Sequence, residues 1–335
     1  MSPQGSTSGS RASRVSRAPR NRTLVTGESD LIRLRERLIV HVPSAPLKQP
    51  PKGTICGDCL TWARLLPASF VDLLILDPPY NLGKVFNGRR FSKVSVDEYG
   101  AWFRDVLSAM LPLLKPTASV YVCCEWLTSQ SVYPAICERL TVRNRITWER
   151  EKGRGSDRNW KNASEDLWFC TVSCDYTFNA EAVKLRRRVV APYKAANGEP
   201  KDWTRTASGD YRDTYPSNLW TDITVPFWSM AENTNHPTQK SEKFMAKIIL
   251  ASSNKGDFVL DPFLGSGTTS VVAEKLGRRY LGIERDEDYC IWAERRLELA
   301  RDRQSIQGYM DGVFWERNSS PLGKDPPGAE EPTLF

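Results

Sequence analysis

Asp77-Pro78-Pro79-Tyr80-Asn81 comes directly after an apolar run, residues 71–76, and combines three properties suited to a flat heterocycle bearing an amino group. Asp77 offers a carboxylate that, ionised, only accepts hydrogen bonds. The two prolines fix the backbone and remove two N–H donors, so the preceding carbonyls can face a ligand without a competing local amide. Tyr80 offers a ring for stacking. Carboxylate and carbonyl can then take the two N–H bonds of an exocyclic amine. The same residues also suit a plain Pro-Pro turn ending a strand, with Asp77 as a cap for the next element, and the motif alone leaves both open.

A second constellation is Asp261-Pro262-Phe263-Leu264-Gly265-Ser266-Gly267-Thr268-Thr269, set between a strand-like and a helix-like segment. Its glycines let the backbone turn tightly and approach a ligand without Cβ interference. Glu284 stands 19 residues after Gly265, at the end of the next apolar run, the spacing of a ribose-binding acid in a Rossmann-like unit. The loop has no basic residue and no P-loop pattern, which argues against a nucleoside triphosphate. Ser270 stands where a full GxGxxG needs its third glycine, which argues against a nicotinamide-dependent dehydrogenase.

Taken together, these motifs resemble the amino-group DNA methyltransferases, with their [DNS]-P-P-[YFW] catalytic motif and S-adenosylmethionine loop. The order here, catalytic motif, variable region, cofactor loop, resembles their permuted β group. A third run, His236-Pro237-Thr238-Gln239-Lys240, stands just upstream of the cofactor helix, where that group carries one. The resemblance covers about residues 54–302.

The resemblance implies a Rossmann-like S-adenosylmethionine-dependent methyltransferase fold: α/β, a doubly wound, seven-stranded mixed sheet in permuted order, with an inserted DNA target-recognition region. The strands preceding the two motifs would then be neighbours at the centre of the sheet, at a topological switch point. Asp77, Pro78, Pro79 and Tyr80 become the catalytic set. Asp58, Asp261, Phe263, Gly265, Ser266, Gly267, Thr268 and Glu284, with His236 and Lys240, become the cofactor set. Asp58 can equally cap a helix over residues 59–66. The implied reaction is transfer of a methyl group to adenine N6, the base being extruded from the duplex, with cytosine N4 as the alternative; Asp rather than Ser at position 77 favours adenine. Trp148 is a further candidate to hold the extruded base, and also a plausible core residue. A catalytically idle DNA-binding module is the reading from another class, and the intact Asp77, Tyr80, Gly265, Gly267 and Glu284 speak against it. The implied partners are double-stranded DNA and, in a restriction–modification system, a cognate restriction endonuclease; monomer and homodimer both remain open. No metal is implied.

These residues need elements to position them. Strand-like runs are expected at 54–56, 71–76, 119–124, 142–148, 166–172, 258–260 and 280–283. Helices are expected from a Ser95/Glu98 capping box to about residue 114, and over 242–251, 269–276 and 287–302. This alternation predicts one doubly wound domain in two halves, 54–172 and 236–305, interrupted by an irregular segment, 173–235. That segment carries Lys184, Arg186, Arg187 and Arg188 among Tyr193, Trp203, Tyr211, Tyr215 and Trp220, and is the candidate for reading DNA sequence. Arg154, Arg158 and Lys161 form a second basic run. A basic tail, poor in residues to bury, is expected over 1–30, and a Pro-, Gly- and Glu-rich one over 318–335.

Lys and Arg number 47 against 40 Asp and Glu in 335 residues, a modest excess compatible with a polyanionic partner. Of the eight cysteines, Cys56 and Cys59 form a lone CxxC, and His41 and His236 are the only histidines, so a structural zinc is not expected. No apolar run is long enough to span a bilayer and no secretory segment comes after Met1, so a cytoplasmic protein is expected; the resemblance implies a bacterial, archaeal or phage source.

Overall fold

The computed structural model describes residues 19–83, 85–86, 89–90, 92–150, 157–189, 193–206 and 209–317. In chain order its elements begin with helix α1 (Glu28–Arg35), strand β1 (Gly53–Cys56), helix α2 (Cys59–Ala63), strand β2 (Val71–Leu76) and a short hairpin, β3 (Val85–Phe86) and β4 (Arg89–Arg90). Helix α3 (Val96–Met110), strand β5 (Leu114–Cys124), helix α4 (Trp126–Cys137) and strands β6 (Thr141–Glu149) and β7 (Ser164–Thr171) come after these. Next are β8 (Leu185–Arg188), β9 (Thr204–Thr206), β10 (Gly209–Thr214) and β11 (Leu219–Trp220). The chain continues through α5 (Glu242–Ser252), β12 (Phe258–Asp261), α6 (Thr268–Lys275), β13 (Arg279–Glu284), α7 (Glu287–Asp302), β14 (Tyr309–Met310) and β15 (Val313–Trp315).

The main sheet runs β1-β13-β12-β2-β5-β7-β6-β11, with β7 antiparallel to both its neighbours and every other pair parallel. Both faces are covered, and the sequence of β2 shows why. Leu74 and Leu76 point into a core shared with Trp62, Phe103, Val106 and Ile136 from α2, α3 and α4. Leu73 and Ile75 point into a second core with Phe244, Ile248, Val272 and Leu297 from α5, α6 and α7. A strand buried on both sides reads as a continuous apolar run rather than an alternating one. The capping box of α3 forms: Glu98 N donates to Ser95 Oγ at 3.2 Å and Ser95 N to Glu98 Oε2 at 2.9 Å.

The expected neighbours at the centre are present, β12 beside β2 and parallel to it. Three expectations are corrected. The sheet has eight strands rather than seven, because Leu219 and Trp220, inside the supposedly irregular segment, pair with Thr147 and Trp148 at the sheet edge. That segment also contributes β8, β9 and β10 to a second, five-stranded sheet, completed by β14 and β15 from beyond the last helix. Residues 28–35, the first three of them expected within the basic tail, form α1, which buries Leu34 against Cys290 and Ile291 of α7. Upstream of it, Arg22 N donates to the Trp228 carbonyl and Leu24 N to the Asn233 carbonyl. Residues 1–18 and 318–335 lie outside the described residues. Helix α4 escaped the sequence reading because Pro134 interrupts it; Glu125 caps its first turn, accepting from Leu127 N and Thr128 N.

Candidate active site

The parallel strands end along one edge, and the polar residues gather there. Asp77 stands just past β2, Asp261 ends β12, Glu284 ends β13 and Asp58 lies just beyond β1. They line one cleft of about 690 Å³ together with Pro78, Pro79, Tyr80, Phe263, Gly265, Ser266, Thr268, His236 and Lys240. The Asp77–Tyr80 and Asp261–Thr269 motifs, about 180 residues apart in the chain, thus share a single cavity.

The Pro-Pro segment is held from α3, where Tyr99 Oη donates to the Pro79 carbonyl at 3.0 Å. Asp77 is gripped by Lys240, whose Nζ lies 2.9 Å from Oδ1 and 2.8 Å from Oδ2. Tyr80 Oη stands 3.2 Å from Asp77 Oδ1, 3.1 Å from Glu165 Oε2 and 3.3 Å from Lys240 Nζ. With one proton, that hydroxyl donates to one carboxylate at a time. Burial, then the Asp77 and Glu165 charges, hold Tyr80 well above the ordinary phenol range, so it stays a neutral ring with a hydroxyl to donate.

Across the cleft, Asp261 folds the glycine loop onto itself. Its Oδ1 accepts from Phe263 N at 3.0 Å and its Oδ2 from Thr269 Oγ1 at 2.6 Å. Burial pushes Asp261 up to about 7 against the pull of these donors. Glu284 ties the loop to the next strand, accepting from Gly265 N at 3.0 Å and Asp286 N at 2.8 Å. It too is raised, by burial first, as befits an acid facing an enclosed cleft. Gly265 and Gly267 have φ of +54° and +86°. A Cβ on Gly267 would meet the Ala293 Cβ at 2.5 Å, so this glycine lets α7 close on the loop. Thr268 is tied to the HPTQK run through the Lys240 carbonyl at 3.1 Å, and Arg296 NH1 donates to the Ser266 carbonyl at 3.0 Å. Phe263 rests near Trp102, ring centroids 6.0 Å apart. Asp58 caps α2 by accepting from Thr61 N at 3.0 Å while still lining the cleft, so the capping role and a ligand role coexist.

His236 packs edge-on against Tyr289, ring centroids 4.5 Å apart. Burial, with Lys240 and Arg296 near, pushes its imidazole from 6.5 down to about 4. A group depressed in this way contributes stability that is whole above its unfolded pKa and is lost as pH falls toward the folded one. Between pH 7.5 and 5, the melting temperature of the wild type should therefore fall further than that of His236→Asn. The raised carboxylates Asp261 and Glu232 are common to both proteins and drop out of the difference. Equal falls would show that His236 does not carry this linkage.

Lys240, expected at the cofactor, lines the cleft and grips the Asp77 carboxylate. One expected assignment is corrected. Trp148, expected at the extruded base, is only 1% exposed, packs on Phe244 and donates Nε1 to the Ile223 carbonyl at 3.2 Å, so it belongs to the core. Of the basic run at β8, Lys184 just before the strand pairs with Glu181 at 2.6 Å, and Arg186 on it makes two 2.7 Å bonds to Asp213. Arg187 faces Glu316 at 3.7 Å, and Arg188 is exposed. Arg154 lies outside the described residues. Sequence reasoning missed Tyr99, Arg150 and above all Glu165, which β7 delivers to Tyr80 from 85 positions away. Only an acid at the mouth of a strand hinted at it.

The sequence model described as DNA methylase matches residues 71–295. The DNA adenine methyltransferase YhdJ of Escherichia coli is 34% identical over 260 residues, which cover 74% of this chain and 83% of that protein. The type II methyltransferase M.HpaI of Haemophilus parainfluenzae is 30% identical over 247 residues, 73% of either chain. Among solved structures, the PvuII DNA methyltransferase, cytosine-N4-specific, matches with a TM-score of 0.54 at 16% identity, covering 79% of this chain and 96% of that one. The M1.HpyAVI–SAM complex matches with a TM-score of 0.51 at 22% identity, covering 73% and 98%. At these identities the two structures establish a shared fold.

Proposed function

This chain belongs to the DNA methylase family, whose methyl donor is S-adenosylmethionine, and from that premise we propose that it methylates adenine N6 within a short specific site in duplex DNA. The observation that carries the reading is the meeting of Asp77 and Tyr80 with Gly265 and Glu284 across one cleft. The residues present fit the cofactor. Glu284, an acid held up by burial, suits a ribose diol, Gly265 lets the backbone come close, Phe263 and Ile283 offer apolar walls, and Asp58 suits an adenine amino group.

S-adenosylmethionine, when bound, supplies a methyl group on a cationic sulfur, open to in-line displacement by a nucleophilic nitrogen. The protein's task is to make an exocyclic amine into that nucleophile. Its lone pair is delocalised into the base ring. Hydrogen bonds accepted by Asp77 and by the Pro78 carbonyl favour a more tetrahedral nitrogen and localise the pair; the nitrogen, cationic once methylated, then releases one proton to return to the neutral amine. The Pro79 carbonyl is already engaged by Tyr99, which leaves Pro78 for the substrate. Tyr80 offers its ring to the extruded base. Positioning and fixed charge carry the rate, with no covalent enzyme intermediate.

The DNA face we assign to the catalytic edge. The β6–β7 connection starts there, closed at its foot by Arg150 N donating to the Ala163 carbonyl at 2.7 Å. It presents Arg158 and Lys161 beside Trp160, which is 94% exposed, an unusual state for so large an apolar ring. Sequence reading we assign to the 173–235 segment and its small sheet, and a restriction endonuclease of the same site is the partner this implies.

Incubation of unmethylated DNA with the enzyme and labelled S-adenosylmethionine, with nucleoside mass spectrometry of the product, decides the base. N6-methyladenine is the expected product. N4-methylcytosine in its place overturns the base assignment, and labelling of RNA or protein alone overturns the whole reading.

A further inference from the structure

The wall behind the target pocket is rich in acids and holds one deep cation. Lys240, with a side chain 4% exposed, bridges Asp77 at 2.8 Å and Glu165 Oε2 at 3.4 Å. Glu165, 6% exposed, spends its other oxygen on Arg150 NH1 at 2.5 Å, and Arg150 reaches the surface. Asp77 and Glu165 are thus balanced by Lys240 and Arg150, and of these two cations Lys240 is the buried one. Other titratable groups face this cluster: Tyr80 on the motif itself, Cys123 and Cys124 at the end of β5, Asp261 and Glu284 across the cleft, and His236 on the run that carries Lys240. None of these supplies a second buried positive charge, since His236 is held neutral.

Two carboxylates in a desolvated site do not both ionise without a cation between them. A protonated Asp77 would turn from acceptor to partial donor and oppose the target N–H. An ionised one has about four lone-pair sites, so Lys240 can occupy one on each oxygen and still leave others for the incoming amine. We propose that Lys240 and Glu165 are positioning residues for methyl transfer: Lys240 offsets the Asp77 charge and fixes its two oxygens, and Glu165 holds Lys240 and the Tyr80 hydroxyl in place. This rests on the DNA-methylating reading above. Burial lowers the Lys240 affinity for its proton, but Asp77 and Glu165 outweigh it and hold the ammonium charged, in keeping with the geometry.

The test compares full-length wild type, Lys240→Met, Lys240→Arg and the double variant Lys240→Met/Glu165→Gln, on duplex DNA with S-adenosylmethionine, from pH 6 to pH 10. Lys240→Met should bind the cofactor normally but lose about a hundredfold in kcat at pH 7, the scale of a lost electrostatic contact at a reacting group. Its pH profile should differ from that of the wild type, because the two carboxylates then share the site with no buried cation between them. Removing the competing charge in the double variant should restore about tenfold at pH 7 and bring the profile back toward that of the wild type, and Lys240→Arg should retain more activity than Lys240→Met. A Lys240→Met enzyme with wild-type kcat and a wild-type pH profile overturns the proposal, as does a folded double variant no better than the single one. Should Lys240→Met fail to fold, Glu165→Gln alone decides: a drop of about tenfold in kcat with an unchanged KM for S-adenosylmethionine supports the proposal, and an unchanged kcat overturns it. A wild type that methylates no DNA base defeats the functional reading instead, before any variant is compared.

Discussion

Replacing Asp77 with alanine should abolish methyl transfer, lowering kcat about a thousandfold or more, while S-adenosylmethionine still binds. The carboxylate is the only charged acceptor on the Pro-Pro motif, and loss of one fixed partner to a reacting group costs about a hundred- to a thousandfold on its own. Here the loss is compounded. The substitution strips Lys240 of both its 2.8 and 2.9 Å bonds and leaves a buried ammonium to Glu165 and the Tyr80 hydroxyl. Breaking a buried pair from one side costs about 3–5 kcal/mol, so the variant should also melt earlier. Asp77→Asn separates the two effects. Its amide oxygen still accepts from Lys240 or from the target amine, so it should melt closer to wild type and keep more activity than the alanine variant. Steady-state kinetics, calorimetric titration of the cofactor and thermal melts read the three quantities. Near-wild-type turnover in a folded Asp77→Ala enzyme would remove this residue from the chemistry.

Glu284→Ala should weaken S-adenosylmethionine binding by about tenfold or more, since a hydrogen bond to a charged group contributes about 1.5–3 kcal/mol and about 1.4 kcal/mol is a factor of ten. The same carboxylate accepts from Gly265 N and Asp286 N, so its removal also frees the tip of the cofactor loop. Glu284→Gln keeps an acceptor for one of these amides and should recover part of the affinity. DNA binding without cofactor should stay close to wild type in both, because Glu284 lies on the cofactor side of the cleft. Titration calorimetry and a DNA mobility shift, run side by side, check this. Equal losses of cofactor and DNA affinity together with a lowered melting temperature would make Glu284 a structural acid.

The features legible in the sequence share a property: the chain states them locally. The run Val71–Leu76 is apolar on both faces and suits an interior strand. The Ser95/Glu98 box marks a helix start through its own reciprocal hydrogen bonds. Gly267 adopts a positive φ that the turn itself demands. Where local signals conflict, the reading failed. Pro134 masked α4, whose stability comes from Val132, Ala135 and Ile136 in the core rather than from backbone propensity. The small sheet was missed because β8, β9 and β10 are short, polar runs without an apolar alternation, and β8 takes its other neighbour, β15, from more than a hundred residues later.

The amino-acid sequence alone thus dictates which short motifs exist, in what order, and what chemistry each can take part in: an amine-facing carboxylate at Asp77, a glycine turn at Gly265 and Gly267, an acid at Glu284. Which side chains meet is a property of the folded chain. Lys240 reaches Asp77 across 163 positions, although its motif suggested the cofactor. Glu165 reaches the Tyr80 hydroxyl because β7 begins at the edge where β2 ends. Trp148 turns inward because its register on β6 points it at Phe244. The physical reason is the same in each case. Backbone sterics and nearest-neighbour hydrogen bonds act over a few residues and are written in the sequence one motif at a time. The encounter of two side chains depends on strand order and register, where one residue of slip sends a side chain to the opposite face.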